Sequence, residues 1–111
     1  MNEDRREARR FSVSLYAERQ ETEEAPIHIR NLSSTGFLVS GAVLAGLGGI
    51  LRTAFRVRPS TGEMRVTARG RVMHRRIDGA NSEFGIRIED FGSPEEESAY
   101  QTYVRELAAR E

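Results

Sequence analysis

Hydrophobic residues recur at every second position along most of this chain. Phe11, Val13, Leu15 and Ala17 alternate with Ser12, Ser14 and Tyr16, and Ile27 and Ile29 flank His28. Leu51, Thr53, Phe55 and Val57 alternate with Arg52, Ala54, Arg56 and Arg58; Met64, Val66, Ala68, Gly70 and Val72 alternate with Arg65, Thr67, Arg69 and Arg71. Phe84, Ile86 and Ile88 then alternate with Gly85, Arg87 and Glu89. Period two is the mark of antiparallel strands with one apolar face and one solvated face, here solvated chiefly by arginine. Gly36–Ser40, with Phe37, Leu38 and Val39, supplies a further short strand. The joints agree: Pro59-Ser60-Thr61-Gly62 predicts a hairpin turn, Asp78-Gly79 a tight turn, and the polar, acidic Glu18–Ala25 a longer exposed loop.

The period changes near the end. Ser93-Pro94-Glu95-Glu96 places a capping serine, proline at the first helical position and glutamate at the third. Tyr100, Tyr103, Val104, Leu107 and Ala108 follow at helical spacing, which predicts an amphipathic helix over about 94–109. One helix cannot cover both faces of six strands. The sheet is therefore expected to curl into a small six-stranded antiparallel β-barrel with the C-terminal helix against it, a mainly β fold in one domain. The length of 111 residues suits that reading.

Composition narrows the chemistry. There are no cysteines, which excludes disulfides, thiolate metal sites and a cysteine nucleophile. The 17 basic residues are all arginine and are balanced by 17 acids, yet they are unevenly placed. Residues 31–77 carry eight arginines against the single acid Glu63, whereas residues 78–111 carry three arginines against nine acids. An anionic ligand on the middle segment is compatible with the neutral total. Asn31–Leu51 is free of charge for 21 residues, but Gly36, Gly41, Gly46, Gly48 and Gly49 interrupt it, so it reads as strand plus Gly-rich loop and not as a membrane span. The polar start, Met1–Arg10, lacks the apolar run of a secretory leader, and a cytoplasmic location is expected. No Ser-His-Asp set is visible; His74 has inward parity near a strand end and His28 outward parity, so an enzyme is not expected, nor a cofactor or metal. Gly46, Gly48 and Gly49 lack the lysine and strand–helix setting of a phosphate loop.

Two local patterns remain. Arg5-Arg6-Glu7-Ala8-Arg9-Arg10 sets four guanidiniums immediately before the first strand. Guanidinium groups bind phosphate bidentately, stack on flat rings and fork onto guanine O6 and N7. Alone, a solvated basic tail accounts for them as well. Asn31-Leu32-Ser33-Ser34-Thr35-Gly36 lies on a loop between predicted strands; by itself it also reads as a turn.

Together the two patterns resemble the PilZ family of cyclic di-GMP receptors. That family carries R-x-x-x-R just before its first barrel strand and [DN]-x-S-x-x-G some 20–30 residues later. Arg6 and Arg10, followed by Phe11-Ser12-Val13, match the first, although Arg5 and Arg9 also satisfy the spacing; Asn31, Ser33 and Gly36 match the second. Asn31 stands where many members have aspartate and supplies one acceptor and one donor instead of a carboxylate. The resemblance implies a stand-alone receptor with a flexible N-terminal ligand-binding segment, residues 1–10, before a barrel domain, residues 11–111. Arg6 and Arg10 would grip phosphate or a guanine edge, Asn31 and Ser33 would bond guanine or phosphate, and Gly36 would let the turn approach closely. Arg5, just before the motif, would favour a stacked pair of ligands over one. The signal would pass to an unidentified effector protein. Two other readings stay open: a PilZ-like adaptor that binds no nucleotide, and a small nucleic-acid-binding barrel using Arg52, Arg56, Arg58, Arg65, Arg69 and Arg71. The last lacks outward aromatics for base stacking on those strands, so no DNA or RNA is expected; those arginines are expected to pair with the acidic helix.

Overall fold

The computed structural model describes residues 9–19, 27–41, 46–77 and 82–110. The alternating runs become six strands: β1 (Phe11–Arg19), β2 (Ile27–Leu32), β3 (Gly36–Gly41), β4 (Ile50–Val57), β5 (Met64–Arg76) and β6 (Ser82–Phe91). All pairings are antiparallel, and the order β1-β2-β3-β6-β5-β4 closes on itself as a barrel. The inward set, including Ile29, Phe37, Val39, Leu51, Phe55, Val66, Val72, Phe84 and Ile86, is buried and fills the interior. Burial of such side chains contributes about 1.5–3 kcal/mol each, which is what commits each strand to one face.

The helix α1 (Pro94–Ala109) has the expected bounds. Ser93 accepts a hydrogen bond from the Glu96 N–H at 3.2 Å, and Glu95–Glu97 place acids in the first turn, where the helix dipole favours them. Ala99, Tyr100 and Val104 are buried against the barrel. Tyr100 is fully buried, its ring 6.0 Å from Phe55 and 5.3 Å from Phe91. Two carboxylates tie the helix to strands: Glu96 accepts from the Thr67 N–H (2.5 Å) and hydroxyl (2.8 Å), and Glu106 accepts from the Ser60 N–H (2.9 Å) and hydroxyl. Hydrogen bonds from Ser60 hold the Glu106 carboxyl below its ordinary range.

Several local expectations are corrected. The exposed loop after β1 starts later than Glu18, because Glu18 and Arg19 pair with Ala54 and Thr53 of β4; residues 20–26 and the Asp78-Gly79 turn lie outside the described residues. Gly46–Gly49 form a tight turn, with Gly49 N–H donating to Gly46, and this turn is laced to β5 by Gly48 N–H to Val72 (2.8 Å) and Val72 N–H to Gly49 (2.9 Å). Gly48, at φ +80°, takes a left-handed conformation that glycine adopts without penalty. His74 does not follow inward parity: Val72 pairs with Ile86 and His74 with Gly85, so Met73 is a bulge residue and His74 is turned outward. His28 is half-buried, stacked on Tyr16 at 4.9 Å and hydrogen-bonded to Ser14 at 2.9 Å.

The arginines of β4 and β5 do not form ion pairs with the helix among the described residues. Arg56 and Arg58 both reach Glu63 at 3.0 Å, Arg71 reaches Glu89 at 2.7 Å and Arg69 lies 4.0 Å from Asp90. The reason is positional. Glu96 and Glu106 are engaged by Thr67 and Ser60, while Glu63, Glu89 and Asp90 lie in the hairpin and on the neighbouring strand, closer to the guanidiniums.

Candidate functional site

The β1–β2 register carries the site. Phe11 pairs with Leu32 and Ser12 with Asn31, which brings the residue before β1 beside the end of β2. Arg10 Nη1 donates to Asn31 Oδ1 at 2.9 Å. Two residues 21 positions apart, each chosen from a different pattern, are thus in direct contact. Asn31 is the penultimate residue of β2 and is not part of the loop; only Ser33–Thr35 form the connection.

A bulge aims Asn31. Continued alternation from Ile27 and Ile29 would turn Asn31 into the barrel. Instead Ile29 pairs with Val39 and Asn31 with Leu38, so two residues of β2 span one of β3, and Arg30 is the extra residue. Parity inverts there: Leu32 is fully buried and Asn31 is partly exposed beside Arg10. A bulge that re-aims a polar side chain in this way is a common device at binding sites.

Ser33 and Gly36 shape the turn. Ser33 is buried, at 1% exposure, and its Oγ accepts from the Thr35 and Gly36 N–H groups at 3.2 Å each, while its own N–H donates to the Gly36 carbonyl at 2.8 Å. A Cβ on Gly36 would lie 2.1 Å from the Ile86 carbonyl oxygen, so glycine is demanded by the close approach of β6. Behind the turn, the Tyr100 hydroxyl donates to the Ser33 carbonyl at 2.7 Å and Gln101 Nε2 to the Ser34 carbonyl at 3.0 Å. Burial pushes the Tyr100 hydroxyl well above its ordinary value, against the opposing pull of the Arg10 charge, so at neutral pH it is a firm donor. The helix therefore props the turn from inside the fold.

Beside this turn lies a shallow cleft of about 170 Å³ lined by Arg10, Thr35, Gly36, Met73, His74 and Arg87, among others. Sequence reading did not assign Thr35, His74 or Arg87 to a site. Arg87 projects from the outer face of β6 opposite Gly36. The His74 ring lies over Gly85, where any Cβ would fall 2.0 Å from it. Glycine at 85 was the available signal for this, since it marks a strand position that a neighbour covers closely. Arg9 is directed elsewhere, its guanidinium 5.1 Å from the Phe11 ring centroid. Arg5 and Arg6 lie outside the described residues. Among the described residues no cluster of three His, Cys, Asp or Glu side chains is placed to hold a metal, and no helix is long and apolar enough to cross a membrane.

Comparison with known proteins follows the same outline. No curated protein sequence matches the chain. Among solved structures, the Bacillus subtilis inhibitor of motility (MotI/DgrA) is similar, with a TM-score of 0.72 over 91% of this chain and 50% of that one at 17% identity. The likeness is one of fold, and this chain spans about half the length of that structure. The model of the PilZ domain matches residues 4–106. Since that match takes in the basic segment, all six strands and most of the helix, the chain belongs to the PilZ domain family of receptor and adaptor modules.

Proposed function

We propose that this protein is a receptor that binds cyclic di-GMP at the cleft around Arg10 and Asn31 and signals to a separate protein. The observation that carries the reading is the 2.9 Å contact between Arg10 and Asn31, which joins the two halves of the motif beside a cleft with a second guanidinium, Arg87. Cyclic di-GMP is a dianion with two guanines. Guanidinium groups suit both parts of it, as bidentate partners of phosphate or of a guanine Hoogsteen edge and as flat cations that stack on a base. The Asn31 amide offers an acceptor and a donor to a guanine edge.

Residues 1–10 form the ligand-binding segment in this reading, with Arg5 and Arg6 adding guanidinium contacts to the ligand, and residues 11–111 form the barrel domain. Ser33 and Gly36 belong to the site through the shape of the turn, which brings Thr35 and Gly36 against the cleft. No step of catalysis is involved. Isothermal titration with cyclic di-GMP, with GTP and the linear dinucleotide as controls, tests the proposal. Ligand at 100 times its dissociation constant stabilises the fold by about 2.7 kcal/mol. Absence of both heat and thermal shift at high micromolar ligand refutes it.

A further inference from the structure

The β4–β5 wall of the barrel holds cations where folding alone disfavours them. In the β4–β5 register Arg52 lies directly across from Arg69 and Arg56 directly across from Arg65. Like charges in directly opposed positions destabilise a strand pair. Relief is partial. Arg56 shares Glu63 with Arg58; among the described residues neither Arg52 nor Arg65 forms a direct ion pair, although the charge of Arg65 acts on the Glu96 carboxylate.

These guanidiniums border the shortest ladder of the barrel, that between β1 and β4. β4 pairs with β5 along its whole length, but with β1 only where Thr53–Phe55 meet Ala17–Arg19. Beyond that short ladder β1 and the end of β4 part, and the Tyr103 ring of α1 stands near the opening. The result is a cleft of about 440 Å³ with the half-buried Leu15 at its floor above the buried Ala54 and Phe55, and a rim that carries Arg56, Arg58 and Arg65 together with one acid, Glu18. It shares no lining residue with the cleft at Arg10.

We infer that this seam is a docking groove for an extended acidic segment of a partner protein. Arg56 is the last outward residue of β4 and Arg58 follows directly after its end; two residues of extended chain span about 7 Å, which is also the spacing of alternate side chains on an extended peptide. Carboxylates on one face of such a peptide meet the guanidinium row while an apolar residue on the other face meets Leu15. A single-stranded nucleic acid fits less well, because it needs open aromatic faces. Tyr16 at the rim is 71% exposed but has one face stacked on His28, and Tyr103 is half-buried, so the groove offers a single ring face where base stacking along a strand needs several.

The test uses fluorescence anisotropy with a labelled peptide of about nine residues alternating Glu and Val, roughly the length of one strand. Its Lys/Val counterpart and a labelled oligothymidylate serve as comparison probes. The acidic peptide is expected to bind, more weakly as salt rises, and the Lys/Val peptide not to bind. Arg56→Glu and Arg65→Glu should each weaken the complex about tenfold or more, and Arg75→Glu, away from the seam, should leave it unchanged. Melting curves establish that each variant is folded, and Arg65→Gln replaces Arg65→Glu should the latter not fold. No binding of the acidic peptide up to millimolar concentration overturns the proposal, as does equal binding by the Arg65 variant. Tighter binding of oligothymidylate, lost with the same arginines, overturns it in favour of a nucleic-acid surface. None of these results alters the nucleotide reading, which rests on other residues.

Discussion

Replacing Tyr100 by phenylalanine removes one oxygen from a side chain with no exposure to solvent. Ring contacts with Phe55 and Phe91 survive, so the loss falls on the 2.7 Å hydrogen bond to the Ser33 carbonyl. A typical net hydrogen bond contributes about 1 kcal/mol, and a buried carbonyl stripped of its donor costs about 1–3 kcal/mol. Tyr100→Phe is therefore expected to lower the unfolding free energy by about 2 kcal/mol. For a domain near this size each kcal/mol shifts Tm by roughly 4–8 °C, so the melt should move down by about 8–16 °C. Urea unfolding followed by circular dichroism measures the free energy directly. The same variant has a signature in alkali. Burial raises the Tyr100 pKa, so above pH 10 the unfolded chain releases a proton that the folded one retains. Stability is then full below pH 10 and falls as the pH rises beyond it. The phenylalanine variant should show a shallower decline, with Tyr103, also raised by burial, accounting for part of what remains. Unfolding free energies equal within about 0.5 kcal/mol, together with an unchanged alkaline slope, refute the claim that this hydroxyl braces the turn.

Arg10→Ala should weaken cyclic di-GMP binding roughly 10- to 150-fold, the loss of one charge-assisted bond of ~1.5–3 kcal/mol, with the fold retained; Arg9→Ala should cost less, and calorimetry of both reads the difference. Arg65→Glu combined with Arg69→Glu should leave nucleotide affinity within about threefold, under ~1 kcal/mol, and a folded double variant that no longer binds places the site on the barrel wall instead. Thr53 is fully buried, and its hydroxyl finds no hydrogen-bond partner among the described residues, so Thr53→Val should raise stability by about 1 kcal/mol in urea unfolding; a loss of stability contradicts this. Burial pushes the Glu96 carboxyl up, but hydrogen bonds from Thr67 and Ser93 outweigh it and leave the pKa below 4.5. Its contribution is thus present above pH 4.5 and lost as the pH falls through the lowered value; Glu96→Gln should flatten that acid limb, and an identical limb in both proteins refutes the assignment.

Features that depend on near neighbours along the chain were legible from residue order alone. Alternation along Leu51–Val57 and Met64–Val72 marks strands because each side chain's face is decided by its immediate neighbours along the chain. The bounds of the helix were legible for the same reason, since Ser93 and Pro94 set a helix start through hydrogen bonds and dihedral angles reaching only three residues. The polar pairing inside the site was not legible in this way. Arg10 and Asn31 could each be picked out by residue type, but their contact depends on the β1–β2 register, which the whole barrel sets.

Parity failed at Arg30 and Met73, where bulges turn Asn31 and His74 outward. A bulge is the outcome of competing registers on two sides of a strand, and no residue type announces it. Ser33 shows the other limit. Its motif position marked it as a ligand contact, whereas the folded chain buries its hydroxyl within the turn and spans its carbonyl to Tyr100, 67 residues away. The arginines of β4 and β5 were plain as an outward row. That Arg52 faces Arg69 and Arg56 faces Arg65, beside a seam where β1 leaves β4, is decided only by strand pairing and barrel closure, because cost and opportunity alike arise between chain segments that the sequence keeps apart.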